Sequence, residues 1–242
     1  MDFMKDKLIT LTHIIVLIII YILSFVLPGT ISRFLDFPER IDFISIIIQS
    51  FMAIIIFLVG SGLYVEKVMK LKLSGLRVKF KKPSAYWIIA AILVPILVIL
   101  FYYATNKAVI IQGNSDVDST IRVFVHSFFV AGLCAGIVEE VFFRGILLGY
   151  LEKKYGIVYA ILIPSLLFGA PHLLSVDSFS IALIIQVTVF ITFYGVIMSL
   201  IVYYTNNIWN TISIHILWNA ITTSLIIKQG EVVKSNFVLQ MK

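Results

Sequence analysis

The chain has one cysteine, Cys134, in 242 residues. That excludes an intramolecular disulfide and any four-cysteine metal site, and leaves Cys134 as a small apolar residue. Charge is also scarce, at 13% of residues against about 25% in soluble domains. No repeat of fixed period, no low-complexity tract and no stretch with the composition of a soluble domain interrupts the sequence. The six prolines fall mostly at the ends or kinks of apolar runs, and there are only four histidines. What is plentiful is apolar: 60% of residues are hydrophobic and the mean hydropathy is +1.05. A polytopic transmembrane helix bundle, all-α, is the fold class these numbers require.

Apolar runs able to cross a hydrocarbon core of about 30 Å lie near Leu8 to Leu27, Ile44 to Tyr64, Tyr86 to Tyr103, Val123 to Tyr150, Ile157 to Leu174, Phe179 to Tyr204 and Ile208 to Ile227. That gives seven spans, or eight if one run is broken. The first run is long for a signal-peptide core and has no small-residue cleavage site, so it is expected to stay as an anchor. Between Val65 and Tyr86 the chain carries Lys67, Lys70, Lys72, Arg77, Lys79, Lys81 and Lys82 against one acid, Glu66. The positive-inside rule puts this loop in the cytoplasm, and Lys5, Lys7, Lys153 and Lys154 agree, with the N-terminus inside as well. The basic loop is expected to fix topology and attract anionic lipid. The formal net charge of +6 has the same origin, and nothing points to nucleic acid. The longest polar interruption, 104–121 with "QGNSDVDST", reads as an extracytoplasmic loop.

Of thirteen acidic residues, only Glu139 and Glu140 are embedded in apolar sequence on both sides, in "CAGIVEEVFFRGILL". Glu140 and Arg144 are i,i+4 and can neutralise each other on one helix face. Glu139 points about 100° away from Glu140 and is left without an explanation of that kind. Upstream, Gly132 and Gly136 make a small-xxx-small pair that would admit a second helix closely, so both carboxylates are expected to face protein.

Two of the four histidines, His172 in "FGAPHLL" and His215 in "SIHILWNA", also lie deep in apolar runs. A turn near Tyr155 and Gly156 would put Glu139 and His172 at one depth, each about 24 Å up its helix at 1.5 Å per residue. A second turn at Thr205 to Asn207 would bring His215 and Asn219 to a similar level. His215 and Asn219 are i,i+4, as are Phe168 and His172, so each pair shares a helix face. Pro171 disfavours helix at Ala170, and Pro164 lies one to two turns before it; irregular backbone at this depth is tolerated where it is buried or lines a cavity. His13 and His126 sit near span ends and read as interfacial. Trp209 and Trp218 are expected to anchor or pack the last span, with Trp218 placed to wall a groove beside Asn219.

Three motifs in order, "EEVFFR" (Glu139, Glu140, Arg144), "FGAPH" (Phe168, His172) and "HILWN" (His215, Asn219), resemble the EExxxR, FxxxH and HxxxN motifs of the CAAX protease and bacteriocin-processing (Abi) family of intramembrane proteases. The resemblance runs from about Val123 to Ile227. It implies a division into N-terminal spans with the basic loop over 1–121, a catalytic helix bundle over 122–230 and a polar tail over 231–242. It implies that Glu139 is the general base, holding the attacking water with His172. His215 and Asn219 would donate hydrogen bonds to the oxyanion, and Glu140, Arg144 and Phe168 would support them.

The resemblance also raises zinc as a cofactor, with Glu139, His172 and His215 as the ligands. Metal-free glutamate catalysis is the expected alternative, because the sequence has no HExxH pair and a three-ligand zinc would consume the proposed base. The implied substrate is a short hydrophobic or membrane-associated peptide, such as a bacteriocin, leader or signalling peptide, and the implied location is a bacterial plasma membrane. Two rival readings remain at this point. One is a peptide-binding immunity protein that does not cut. The other is a proton-coupled transporter with Glu139, His172 and His215 as a relay, although the two similar halves expected of such transporters are not visible.

Overall fold

A computed structural model of the chain describes residues 2–34, 42–79, 81–104, 109–110, 124–170, 172, 181–224 and 227–228. Among them are seven helices: α1 (Asp2–Phe34), α2 (Asp42–Leu63), α3 (Ala85–Ala104), α4 (126–155), α5 (Ile157–Gly169), α6 (Ile181–Thr205) and α7 (Ile208–Ser224). A π turn, Tyr64–Val68, prolongs α2, and a short 3₁₀ turn, Leu73–Gly75, follows it. Apart from these, two-residue strands β1 (Val109–Ile110) and β2 (Ile227–Lys228) pair antiparallel. The protein is all-helical in class, as composition requires. The helices match the expected runs with shifted ends, α1 being 33 residues, or about 50 Å, and α5 stopping at Gly169. Most of the polar stretch 104–121 and the tail from 229 onward, with Pro171, lie outside the described residues.

By length and composition, Met4–Phe34, Phe43–Val68 and Thr188–Thr205 can each cross a membrane. Ala85–Phe101 and Ile157–Gly169 are shorter apolar helices, α4 carries embedded charges, and α7 has 17 residues. The distribution of side chains is that of a membrane protein. Ile15, Ile19, Ile22, Ile55, Val59, Leu93, Leu97, Phe190 and Phe193 point outward, while Ser24, Ser50, Ser61, Ser127, Ser165, Ser199, Asn210 and Thr211 are buried between helices. The outer surface is thus as apolar as lipid, and small polar residues let helix backbones approach inside.

Close approaches position α4 and α7. A Cβ at Gly136 would stand 2.8 Å from Ile216 Cγ1 and 3.3 Å from the Ile216 amide nitrogen, and one at Gly132 would stand 3.2 Å from the Ile216 carbonyl oxygen. The second helix that these glycines admit is therefore α7, one residue beyond His215. The turn between α4 and α5 is made by Gly156, whose φ of 82° few other residues adopt. Between α6 and α7, Asn206 takes the left-handed conformation (φ 48°) that asparagine tolerates, and Asn207 caps α7 by accepting from the Trp209 amide at 3.1 Å.

The basic loop does more than mark topology. The Ile208 amide donates to the Lys79 carbonyl at 3.2 Å, Asn207 Oδ1 accepts from the Lys81 amide at 3.2 Å, and Asn210 Oδ1 accepts from the Ser84 amide at 3.1 Å. Arg77 forks onto Glu152 near the end of α4, Nε at 2.7 Å and Nη2 at 2.5 Å. It also lies over the Tyr203 ring of α6, 5.1 Å from its centroid. The Glu152 carboxylate holds the Arg77 guanidinium above its usual pKa, as charge-assisted hydrogen bonds to the protonated form should. Expected to fix topology and attract anionic lipid, this loop also ties together the ends of α4 and α6 and the start of α7.

Candidate active site

The backbone of α4 is unusual where its charges lie. Two stretches, His126–Cys134 and Glu140–Leu147, bond in the i to i+5 pattern of a π-helix, with an α-helical turn Ala135–Glu139 between them. Such segments are uncommon and cluster at functional sites. They also widen the helix, so depths counted at 1.5 Å per residue do not carry over to this stretch.

Glu139 and Glu140 stand at the junction. Glu140 is sealed from solvent and its Oε1 accepts from Arg144 Nη1 at 3.0 Å, the pair expected from i,i+4 spacing. The same Oε1 lies 2.9 Å from His215 Nδ1. A carboxylate only accepts, so the proton of this contact belongs to the ring nitrogen and the second ring nitrogen, Nε2, is directed elsewhere. It faces Glu139 Oε2 at 3.8 Å, wider than a direct hydrogen bond. The Glu139 side chain retains 14% of its exposure while that of Glu140 has none. Its other oxygen, Oε1, accepts from the Tyr21 hydroxyl at 3.0 Å.

Phe168 organises the opposite wall. The Arg144 guanidinium lies over its ring at 4.1 Å from the centroid, and the imidazoles of His172 and His215 approach at 5.1 and 6.1 Å. Beyond Phe168 the α5 helix gives way to a 3₁₀ conformation at Ala170 and His172. His172 Nδ1 donates to the Phe168 carbonyl at 2.9 Å, which fixes the tautomer with Nε2 as the remaining ring nitrogen. Asn219 donates its amide to the Ala131 carbonyl in the first π segment at 2.6 Å, another bond between α7 and α4. Tyr194 of α6 closes the wall, its ring 6.3 Å from His215 and 6.5 Å from Trp218.

All the sequence-predicted site residues thus lie on α4, α5 with its 3₁₀ extension, and α7. Glu139, Glu140, Arg144, Phe168 and His215 form one continuous cluster; His172 joins through Phe168, and Asn219 anchors α7 beside it. Sequence reasoning missed Tyr21, which comes from α1, and Tyr194. His13 bonds Tyr64 at 2.9 Å and takes no part in the cluster. Among the described residues, no three His, Cys, Asp or Glu side chains are grouped to hold a metal ion. Glu139 is engaged by Tyr21 and faces His215, while His172 Nδ1 is held by the Phe168 carbonyl.

Residues 121–221 match the family model described as Rce1-like, type II CAAX prenyl endopeptidase. No curated protein and no solved structure matches the chain. The matched residues include every motif position of the site, Glu139 to Asn219, so that stretch of the chain is similar to the Rce1-like CAAX endopeptidases.

Proposed function

We propose that the protein is an intramembrane endopeptidase in which Glu139 activates water to cleave a short hydrophobic or membrane-associated peptide. The observation that carries this reading is the contrast between two adjacent carboxylates. Glu140 is sealed and neutralised by Arg144, whereas Glu139 keeps an accessible edge 3.8 Å from an imidazole nitrogen. A general base needs reach to a proton and access for water, and Glu139 has both.

In this mechanism Glu139 takes a proton from the water as its oxygen attacks the scissile carbonyl carbon, giving a tetrahedral oxyanion. The C–N bond then breaks, and the proton returns from Glu139 to the departing amine, leaving one new carboxyl and one new amino terminus. His172, held by the Phe168 carbonyl, presents Nε2 to orient the water. His215 donates to the oxyanion from Nε2 when both ring nitrogens carry protons, Nδ1–H being held by Glu140, and Asn219 supplies a second donor. No step passes through a metal. The 1–121 region forms the remaining helices of the bundle, with the N-terminus and basic loop on the cytoplasmic side of a plasma membrane.

Glu139→Gln tests the reading against its rivals. In liposomes it should abolish cleavage of a farnesylated peptide ending in a Cys-aliphatic-aliphatic-X sequence, or of a hydrophobic leader peptide, while folding and peptide binding persist. Full cleavage by the variant sinks the proposal, and proton-coupled flux that Glu139→Gln blocks would favour the transporter instead.

A further inference from the structure

Tyr21 lies 118 residues from Glu139 and outside the stretch that matches the family model, yet its hydroxyl donates to Glu139 Oε1 at 3.0 Å. The contact is built rather than incidental. The Tyr21 ring stacks on Phe142 at 5.1 Å with an interplanar angle of 17°, and meets Phe143, Phe25 and Phe57 edge-on at 5.8, 5.3 and 6.5 Å. Phe142 and Phe143 belong to the same α4 segment as the glutamates, so the packing that seats the ring also fixes its height against Glu139. On the far side, α2 comes close at Gly60, where a Cβ would stand 3.2 Å from Ile20 Cγ2, setting the position of α1 one residue away. With Oε1 held by the phenol, the carboxylate cannot rotate freely, and Oε2 is the oxygen turned toward His215.

We infer that Tyr21 is a positioning residue: it holds one oxygen of Glu139 so that the other faces the water and the imidazole. The inference rests on Glu139 being the base. It means that α1 supplies a working part of the site.

The test uses the full-length protein in liposomes and an internally quenched farnesylated Cys-aliphatic-aliphatic-X peptide. Tyr21→Phe removes one oxygen atom and keeps the ring stacking. A hydrogen bond to a charged group of this kind translates into a loss of kcat of about 10- to 100-fold, with KM changed less than about twofold. Glu139→Gln combined with Tyr21→Phe should be no worse than Glu139→Gln alone, since a positioning group has nothing left to position. Replacing Tyr21 by 4-aminophenylalanine, which returns an N–H donor at the same place, should restore most of the rate. Tyr64→Phe, which removes a hydroxyl bonded to His13, should leave it unchanged.

Wild-type turnover by Tyr21→Phe alongside an inactive Glu139→Gln overturns the inference and leaves the peptidase reading standing. If instead Glu139→Gln cleaves normally, the reading of Glu139 as the base fails and the positioning role falls with it, and infrared spectroscopy decides the contact alone. The carboxylate band assigned to Glu139 by its loss in Glu139→Gln should move in Tyr21→Phe, and an unmoved band overturns the inference.

Discussion

His215 sits between two carboxylates, its Nδ1 2.9 Å from Glu140 Oε1 and its Nε2 3.8 Å from Glu139 Oε2. One glutamate therefore orients the ring and the other shares its working edge. Burial divides the adjacent acids of the sequence into a sealed, arginine-paired carboxylate and a partly exposed one, and substitutions at the two should have different signatures.

Glu139→Gln should lower turnover by about 10²- to 10⁴-fold, the usual contribution of general acid–base catalysis, with little change in detergent melting temperature. Measuring both on one preparation separates a lost base from a lost fold.

Glu140→Ala should cost stability first. It leaves the Arg144 guanidinium buried without its partner, a loss of about 3–5 kcal/mol, and also frees the His215 ring to rotate. Thermal melting in detergent should fall steeply, and second-site removal of Arg144 should recover part of the loss. An unchanged melting temperature would mean that the pair is not closed in the membrane.

Gly136→Val should separate α4 from α7, since even a Cβ there would lie 2.8 Å from Ile216. Overpacking costs about 1–3 kcal/mol, and the displaced helix carries His215 and Asn219 with it. Activity should therefore drop further than stability, which cleavage rates at a temperature well below the melt would report.

Arg77→Ala should lower stability by about 1–2 kcal/mol, a charge-assisted bidentate contact discounted for its partial exposure. Glu152 raises the Arg77 pKa, so the arginine contribution is fully present below the unfolded value and is lost only as pH rises through the higher folded one. The difference in melting temperature between wild type and Arg77→Ala should hence stay constant from about pH 7 to 10, both far below the arginine range.

Dialysis against a strong chelator should leave cleavage intact if Glu139 works through water alone. Inactivation that added zinc reverses would assign the reaction to a metal after all.

Much of this could be read from local spacing. The Glu140 to Arg144 pair, the helix approach at Gly132 and Gly136 and the turn at Gly156 each involve a few neighbouring residues whose geometry has little freedom. The contributions that escaped are long-range and made by common residue types. Tyr21 is one of eleven tyrosines and nothing around it marks an acidic partner. Arg77 was one of seven cations in a loop, and its bond to Glu152 spans 75 residues. The π register of α4 was hidden for a different reason: an apolar periodicity near 3.6 does not distinguish i to i+4 from i to i+5 bonding when both faces of the helix are buried.

The start of α7 is tied down by Lys79, Lys81 and Ser84, all of them made about 125 residues earlier. During synthesis that loop leaves the ribosome long before the helix it secures, and waits with its amides and carbonyls in water. His215 and Asn219 reach their final height only when α7 arrives and docks. A chain inserted only as far as α6 therefore holds Glu139 and Glu140 without His215, the ring that α7 brings between them.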